Sequence, residues 1–440
     1  MTTSATVEIF RHGTWVPAAR LQTRTPERGI YGRTALEYDI EYAANHAGAE
    51  LARAAAISCR YPVDFDYHEN ERWPAFMLDL LPSGYGRDQW LEKLGLKNDV
   101  QADWPLLLNG AGFPPGNLRV AEAFAARRPD TLVPTAAGEL LPMHQHPGFE
   151  RDVMLERGEH FVEYAFQHGI YAAGTTDVQG AAPKLLLAEA TDGRWHAEGA
   201  IPDSKVKQCW LAKRPRGRKE ADRKVLSNEA AYMTVAREMG LRVNSLLTWE
   251  NDTLLIPRFD RIATPDGLIR LGMESLCALA NVTEFGAIIE HEKLCKALLT
   301  YSSDPAADLL EYIKRDVLNV VMGNKDNHAR NTAVLKWENG DVRLAPVFDF
   351  APMYLDPEGI ARVSRWTGER EVAGTPNWQS VYALYAKHLS GGAAALRAFG
   401  QRLDALPDIA RDAGVDDDVI EHLAAGMTTH ARALMAIKEL

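Results

Sequence analysis

Gly323-Asn324-Lys325-Asp326-Asn327-His328-Ala329-Arg330-Asn331 is the stretch on which the reading of this chain turns. It follows residues 308–322, where Leu309, Leu310, Ile313, Val317, Leu318 and Val321 recur at helical spacing and predict a buried amphipathic helix. Gly323-Asn324 is a helix stop. Downstream, 332–337 and 342–345 read as strands joined by Asn339-Gly340, a strong hairpin signal. The stretch is thus a short loop between a packed helix and a hairpin, carrying a carboxylate, Asp326, and an amide, Asn331, five residues apart. In phosphoryl transfer a carboxylate can accept the proton of an attacking hydroxyl, and an Asn carbonyl can ligate Mg²⁺.

The spacing Asp326-x-x-x-x-Asn331 matches that of the protein-kinase catalytic loop. His328 is read as a support that orients Asp326, in preference to a metal ligand. A second signal is Asp349, flanked by Phe348 and Phe350 at the end of an apolar run. A carboxylate there is costly unless it is paired or bound to a cation, and a metal-bridged triphosphate supplies one. A third is Lys213 at the end of the strand-like run 208–213, with Glu229 sixteen residues on in the helix predicted over 228–240. A strand lysine held by a helix glutamate is how kinases position the α- and β-phosphates. A fourth, weaker signal is the small-residue loop 173–184, where Gly174 and Gly180 allow close backbone approach to phosphate and Lys184 adds charge. Taken singly, Asp326 and Asn331 are ordinary turn residues, Lys213 and Glu229 ordinary surface charges, and Asp349 an ordinary capping acid. Their order, each in a fitting context, is what carries weight.

Working outward, 1–120 reads as a small mixed module: a strand, a His12-Gly13 turn and a second short element over 5–20, then helices at 73–81 and 87–96. Residues 121–170 read as a proline-bearing linker and an amphipathic helix over 151–170. Residues 171–287 alternate loop, strand, helix and strand, the order of an ATP-binding lobe, with strands at 185–188 and 254–259. Helices dominate 288–440. The 440 residues include four widely spaced cysteines, Cys59, Cys209, Cys277 and Cys295, expected to be reduced thiols. The N-terminus lacks the pattern of a secretory signal, and no run approaches a membrane span, so the cytoplasm is the expected location. The net charge of -11 argues against a broad field for nucleic acid. The basic island Lys213, Arg214, Arg216, Arg218, Lys219, Arg223 and Lys224 reads as a solvated loop, with a local nucleic-acid contact as the minor alternative.

With these residues in place, the chain resembles the HipA family, the toxin serine/threonine kinases of bacterial toxin–antitoxin pairs. The resemblance rests on Gly323–Asn331 with Leu344–Phe350, on Gly180-Ala181-Ala182-Pro183-Lys184, on Arg258-Phe259-Asp260-Arg261, on Asn228-Glu229 with Ala236–Leu241, and on Phe76–Pro82. It implies an α+β, two-lobed protein-kinase-like fold with a small mixed N-terminal subdomain and a largely helical C-terminal lobe. It implies ATP and Mg²⁺ as cofactors, Asp326 as catalytic base, Asn331 and Asp349 as Mg²⁺ ligands, Lys213 at the α/β-phosphates and Phe259 near the adenine. The acceptor it implies is a serine or threonine on a protein, such as an aminoacyl-tRNA synthetase, and the implied partner is a small DNA-binding antitoxin. Three departures stand out. Asp177, beside Thr175 and Thr176, occupies the family's autophosphorylated serine position. Arg330 replaces a lysine in the catalytic loop. The family's acidic pair near the substrate cleft is here Glu274-Ser275. Two other classes remain open from sequence: a small-molecule kinase on the same fold, and a non-catalytic nucleotide-sensing or DNA-bound corepressor module.

Overall fold

The computed structural model describes residues 2–48, 51–128, 130–169, 183–217, 219–357 and 359–440. Gly180 lies outside the described residues, as do Thr175, Thr176, Asp177 and Arg218. Contacts divide the chain into two compact units. One comprises Met1–Arg216, Leu255–Phe285 and Leu335–Asp341; the other comprises Gly217–Leu254, Gly286–Val334 and Val342–Leu440.

The first unit opens with β1 (Ser4–Arg11) and β2 (Thr14–Thr23), antiparallel across the expected His12-Gly13 turn. Both turn residues have positive φ, 47° and 78°, the conformation that tight hairpins require. The element after the turn is a full ten-residue strand, longer than the short element expected. With β3 (Thr34–Tyr38), β4 (His68–Asn70) and β5 (Leu118–Val120) the pair forms a five-stranded sheet in the order β4-β3-β2-β1-β5. Ala5, Val7 and Ile9 are fully buried at every second position of β1 and share a core with Trp73, Phe76 and Trp104.

Three sequence expectations in this unit need correction. Over 73–81 the chain forms only a 3₁₀ helix, Ala75–Asp79. Pro74 and Pro82 bracket it, and Ala75, Phe76, Met77 and Leu78 are all buried, so no solvent-facing stripe exists to favour a longer α-helix. The supposed linker contains a hairpin, β6 (Leu132–Pro134) and β7 (Leu140–Pro142), closed through Gly138 at φ 82°. Residues 151–170 hold two helices, α2 (Arg151–Glu156) and α3 (Glu159–His168), broken where Arg157 turns left-handed at φ 50° ahead of Gly158. The helix expected over 87–96 is α1 (Gly84–Leu94), stopped by left-handed Gly95.

Next come β8 (Lys184–Ala190), β9 (Trp195–Ala197) and β10 (Val206–Lys213), with β8 antiparallel to both neighbours. Beside this sheet lies a buried quartet of charges: Arg258, Arg261, Glu198 and Asp260. Arg258 pairs with Glu198 and Asp260, and Arg261 Nε donates to Glu198 Oε1 at 2.9 Å. Arg261 Nη1 donates to Asp260 Oδ2 at 2.8 Å and to the Gly116 carbonyl at 2.6 Å, while the Gly116 amide donates to Asp260 Oδ2 at 2.7 Å. Burial alone would push the Asp260 carboxyl up, but the two guanidinium groups outweigh it and hold it well below the usual range.

The second unit is largely helical. Its first helix, α4 (Glu220–Glu238), starts eight residues before the expected 228. Glu220 and Asp222 in the first turn suit the positive end of the helix dipole. Part of the supposed basic loop is therefore helix: Arg223 pairs with Asp252 at 2.7 Å, and Lys224 pairs with Asp416 and Asp418. After α5 (His291–Tyr301) comes α6 (Pro305–Val321), the helix predicted over 308–322. Asp304 caps α6 by accepting from the Ala307 amide at 3.2 Å, and Pro305 occupies its first turn. Asp308, fully buried, accepts from Ser302 Oγ at 2.6 Å and from the Leu344 amide at 2.9 Å, and pairs with Arg242 and Arg343. The expected strands near 332–345 are Ala333–Lys336 and Val342–Leu344, with Gly340 between them at φ 92°. The chain finishes in α7 (Trp378–Tyr385), α8 (Gly392–Asp404), α9 (Leu406–Asp412) and α10 (Asp417–Met435).

Candidate active site

Helix α6 delivers the loop. It ends in a paired cap: the Gly323 amide bonds the Val320 carbonyl at 3.3 Å and the Asn324 amide bonds the Asn319 carbonyl at 2.9 Å. This is the Schellman arrangement, and Gly323 supplies the left-handed residue at φ 67°. A Cβ on Gly323 would lie 2.7 Å from the Tyr354 ring, so space as well as φ calls for glycine there. Asn324 Nδ2 then donates to Asn319 Oδ1 at 2.9 Å, fixing the exit of the loop.

Within the loop, Ala329–Asn331 forms a single 3₁₀ turn, with the Asn331 amide on the His328 carbonyl at 2.9 Å. That turn folds Asn331 back so that its Nδ2 donates to the Asp326 backbone carbonyl at 2.9 Å. The amide's orientation is thereby set, leaving Asn331 Oδ1 buried with no hydrogen-bond donor. His328 is buried, with Nε2 3.5 Å from Asp326 Oδ1. That is contact without a hydrogen bond. Arg330 is buried too, and Asn327 Nδ2 donates to the Ser364 carbonyl at 3.2 Å.

Asp349 sits at φ 56°, a left-handed conformation that Asp tolerates better than most side chains and that often marks a functional position. Its neighbours hold it there. The Val347 amide bonds the Arg242 carbonyl at 2.8 Å, and Phe350, 2% exposed, packs on Tyr232 of α4 with ring centroids 5.0 Å apart. Tyr232 Oη in turn donates to the Met322 carbonyl at 2.8 Å, so one residue of α4 touches both Phe350 and the end of α6. Asp326, Asn331 and Asp349 line one cleft.

The remaining expected residues fall as follows. Glu229 is buried on α4, three residues before Tyr232. In the first unit Lys184 and Lys213 are both buried and stand directly opposite each other on β8 and β10. Phe259 is half-buried within the charged quartet's own segment. Gly180 is outside the described residues. Glu274-Ser275, expected near a substrate cleft, are instead engaged internally. Glu274 accepts from Ser58 Oγ at 2.7 Å and the Cys59 amide at 2.9 Å, while Ser275 bonds Asp79 through its amide and hydroxyl.

Sequence reasoning missed the far end of the cleft, where His291 and Asp316 lie. Asp316, 2% exposed, accepts from Trp366 Nε1 at 2.7 Å and from Arg362 at 3.2 Å, and lies 3.4 Å from His291 Nε2. Burial pushes the His291 pKa down while Asp316 pulls it back up. A signal was available: Asp316 falls on the apolar stripe of α6, between Ile313 and Val317. A carboxylate on a core face needs a partner.

The model of the HipA-like C-terminal domain matches residues 176–430. Among curated proteins, "Putative kinase Y4mE" of Sinorhizobium fredii is 28% identical over 155 residues, covering 32% of this chain and 36% of that protein. A "Putative kinase" of Haemophilus influenzae is 26% identical over 147 residues, covering 30% of this chain and 42% of its own length. The chain thus spans well under half the length of these relatives. Among solved structures, HipA of Shewanella oneidensis MR-1, determined in a complex with HipB and its operator DNA, aligns with a TM-score of 0.62 at 16% identity, over 98% of both chains. The fold is therefore kinase-like and of mixed α and β type, as the resemblance implied. With more than half its length matched by that model, the chain belongs to the HipA family.

Proposed function

We propose that this chain is an ATP-dependent protein serine/threonine kinase. The observation that carries the proposal is the oriented, donor-free Asn331 Oδ1, held in one cleft with the carboxylates of Asp326 and Asp349. A buried carbonyl oxygen without a donor costs stability unless something electropositive meets it. An amide oxygen and a carboxylate are the hard oxygen ligands that Mg²⁺ takes from a protein beside phosphate oxygens. The donor set fits the metal, with Asn331 and Asp349 as its ligands. Mg²⁺–ATP, when bound, supplies the phosphoryl group and neutralises the charge on it.

In this reading Asp326 accepts the proton of the acceptor hydroxyl as that oxygen attacks phosphorus. His328, in contact with the carboxylate and shut from solvent, restricts its rotamers. Arg330 adds a fixed positive charge to the loop. Lys213, Lys184 and Gly180 serve the phosphates, Glu229 is the acidic member of the family's phosphate-positioning set, and Phe259 serves the adenine. A protein acceptor and a small DNA-binding partner are proposed by analogy with the HipA–HipB–operator complex. Cys59, Cys209, Cys277 and Cys295 form no disulfide, which suits a reducing cytoplasm.

The test is phosphosite mass spectrometry after brief expression in a bacterial host, with Asp326→Ala as control. New phosphoserine or phosphothreonine on host proteins, absent with Asp326→Ala, is expected. Phosphorylated small molecules alone would move the acceptor to the small-molecule class. Identical profiles for both proteins would favour the non-catalytic module.

A further inference from the structure

Far along the chain from the catalytic loop, the first unit holds a second, small pocket. It is walled by Trp90, Phe113, Ala123 and Leu186, and Arg127 and His168 line it as well. We propose that this pocket takes the carboxylate or phosphate head of a small organic anion, with Arg127 as its counter-ion and the body of the ligand lying outside it.

Buried N–H donors outnumber their acceptors here. The Arg127 guanidinium lies over the Phe113 ring at 4.4 Å, and its Nη2 donates to His168 Nδ1 at 3.2 Å. Its other protein bond, to the Gly199 carbonyl, is a long 3.5 Å. Arg127 Nε is buried and bonds nothing, and no carboxylate pairs with the group. Burial and the charge of Arg127 both hold His168 well below the usual pKa of histidine, so the ring is neutral. With Nδ1 accepting from Arg127, the ring proton must sit on Nε2, and Nε2 is also buried without a partner. Trp90 Nε1, likewise buried, has no acceptor either. Trp90 is 9% exposed and His168 6%. Three N–H donors on three elements therefore gather around one cavity with nothing to receive them.

The charge balance points the same way. Lys93 stacks over Trp90 at 5.2 Å and, among the described residues, donates to the Phe166 and Gln167 carbonyls. Burial first, and then the Arg127 charge, bring its pKa down to about 8. Burial brings Arg127 itself down to about 10. Among the described residues lining the cavity the one carboxylate, Glu198, is already shared by Arg258 and Arg261. A cationic, acceptor-poor cavity is expensive when empty, because a buried charge needs a counter-charge and a buried donor needs an acceptor. An anion repairs both deficits. At Gly169 a Cβ would lie 2.6 Å from Trp90, so the glycine lets that ring close the wall.

The test is thermal stability of the full-length protein in benzoate, phenyl phosphate, inorganic phosphate and sodium chloride at matched ionic strength, without nucleotide. Benzoate or phenyl phosphate should raise Tm beyond the chloride control, and which of the two acts tells carboxylate from phosphate heads. The rise should vanish in Arg127→Met. Trp90→Phe, which keeps a ring and removes the N–H, should bind roughly ten- to a hundred-fold more weakly. If Arg127→Met does not fold, Trp90→Phe decides alone. A rise that survives Arg127→Met, an affinity unchanged in Trp90→Phe, or no rise with either organic anion overturns the proposal. Because no nucleotide is involved, failure here leaves the kinase reading untouched, and Asp326→Ala should bind the anion as the parent does.

Discussion

Replacing Asp260 by Asn tests how the first unit holds its charged quartet. The substitution keeps the volume and one acceptor oxygen but turns the other oxygen into a donor. In place, Asp260 Oδ1 receives Arg258 Nε at 2.9 Å and Oδ2 receives both Arg261 Nη1 at 2.8 Å and the Gly116 amide at 2.7 Å. Either amide orientation sets an NH₂ group against an existing N–H donor. The quartet of two arginines and two acids also passes from neutral to one net buried positive charge. Breaking a buried pair in this way costs about 3–5 kcal/mol. At roughly 2–4 °C per kcal/mol for a unit of this size, Tm should fall by about 6–20 °C. The assay is a thermal melt by far-UV circular dichroism at neutral pH. Arg258→Met added to Asp260→Asn restores neutrality, and the pair should lose less than the sum of the two single changes. A Tm within about 2 °C of the parent's, or strictly additive losses, would refute this reasoning. Under the proposed adenine contact of Phe259, which lies in the same segment, Asp260→Asn should also raise the KM for ATP.

Three further outcomes are expected. Asn331→Ala removes the donor-free amide oxygen, so the Mg²⁺ concentration for half-maximal phosphoryl transfer should rise about ten-fold or more, read by metal titration at saturating ATP. Asp308 gives an acid-side signature. Burial raises its carboxyl, but Ser302, Arg343, the Leu344 amide and Arg242 together lower it below the ordinary value. A depressed folded-state pKa contributes stability in full above the unfolded value of about 4, and the contribution is lost as pH falls through the folded value. Melts from pH 6 down to about 2 should therefore show Asp308→Asn converging on the parent at the acid end. Arg362→Leu removes one partner of buried Asp316 at the cleft's far end. It should lower kcat more than it changes the KM for ATP, in steady-state kinetics.

What could be read from the sequence was local. The helix over 308–322 is visible because its apolar stripe has one period, and its end is visible because only Gly323 fits the left-handed cap. Asp326 and Asn331 are close in sequence, so a single turn brings them together. The quartet was out of reach, since Gly116, Glu198 and Asp260 meet only after the first unit has folded. The start of α4 was hidden by charged residues that look like loop until Asp252, Asp416 and Asp418 are seen to pair with them. The hairpin at 132–142 was masked by its prolines, which are tolerated because Pro134 and Pro142 sit at strand ends. Asp349 was identified from its apolar flanks, whereas its left-handed backbone depends on Phe350 finding Tyr232.

Asp326 is the proton acceptor of the proposed reaction, and the most direct test of that role is transfer from γ-labelled ATP. The purified full-length protein is incubated with Mg²⁺ and labelled ATP in bacterial extract, beside Asp326→Ala and Asp349→Ala proteins shown by circular dichroism to be folded. Label on protein serine or threonine from the parent, reduced at least about a hundred-fold in both variants, is the predicted result. Equal labelling by the parent and a folded Asp326→Ala protein would contradict it.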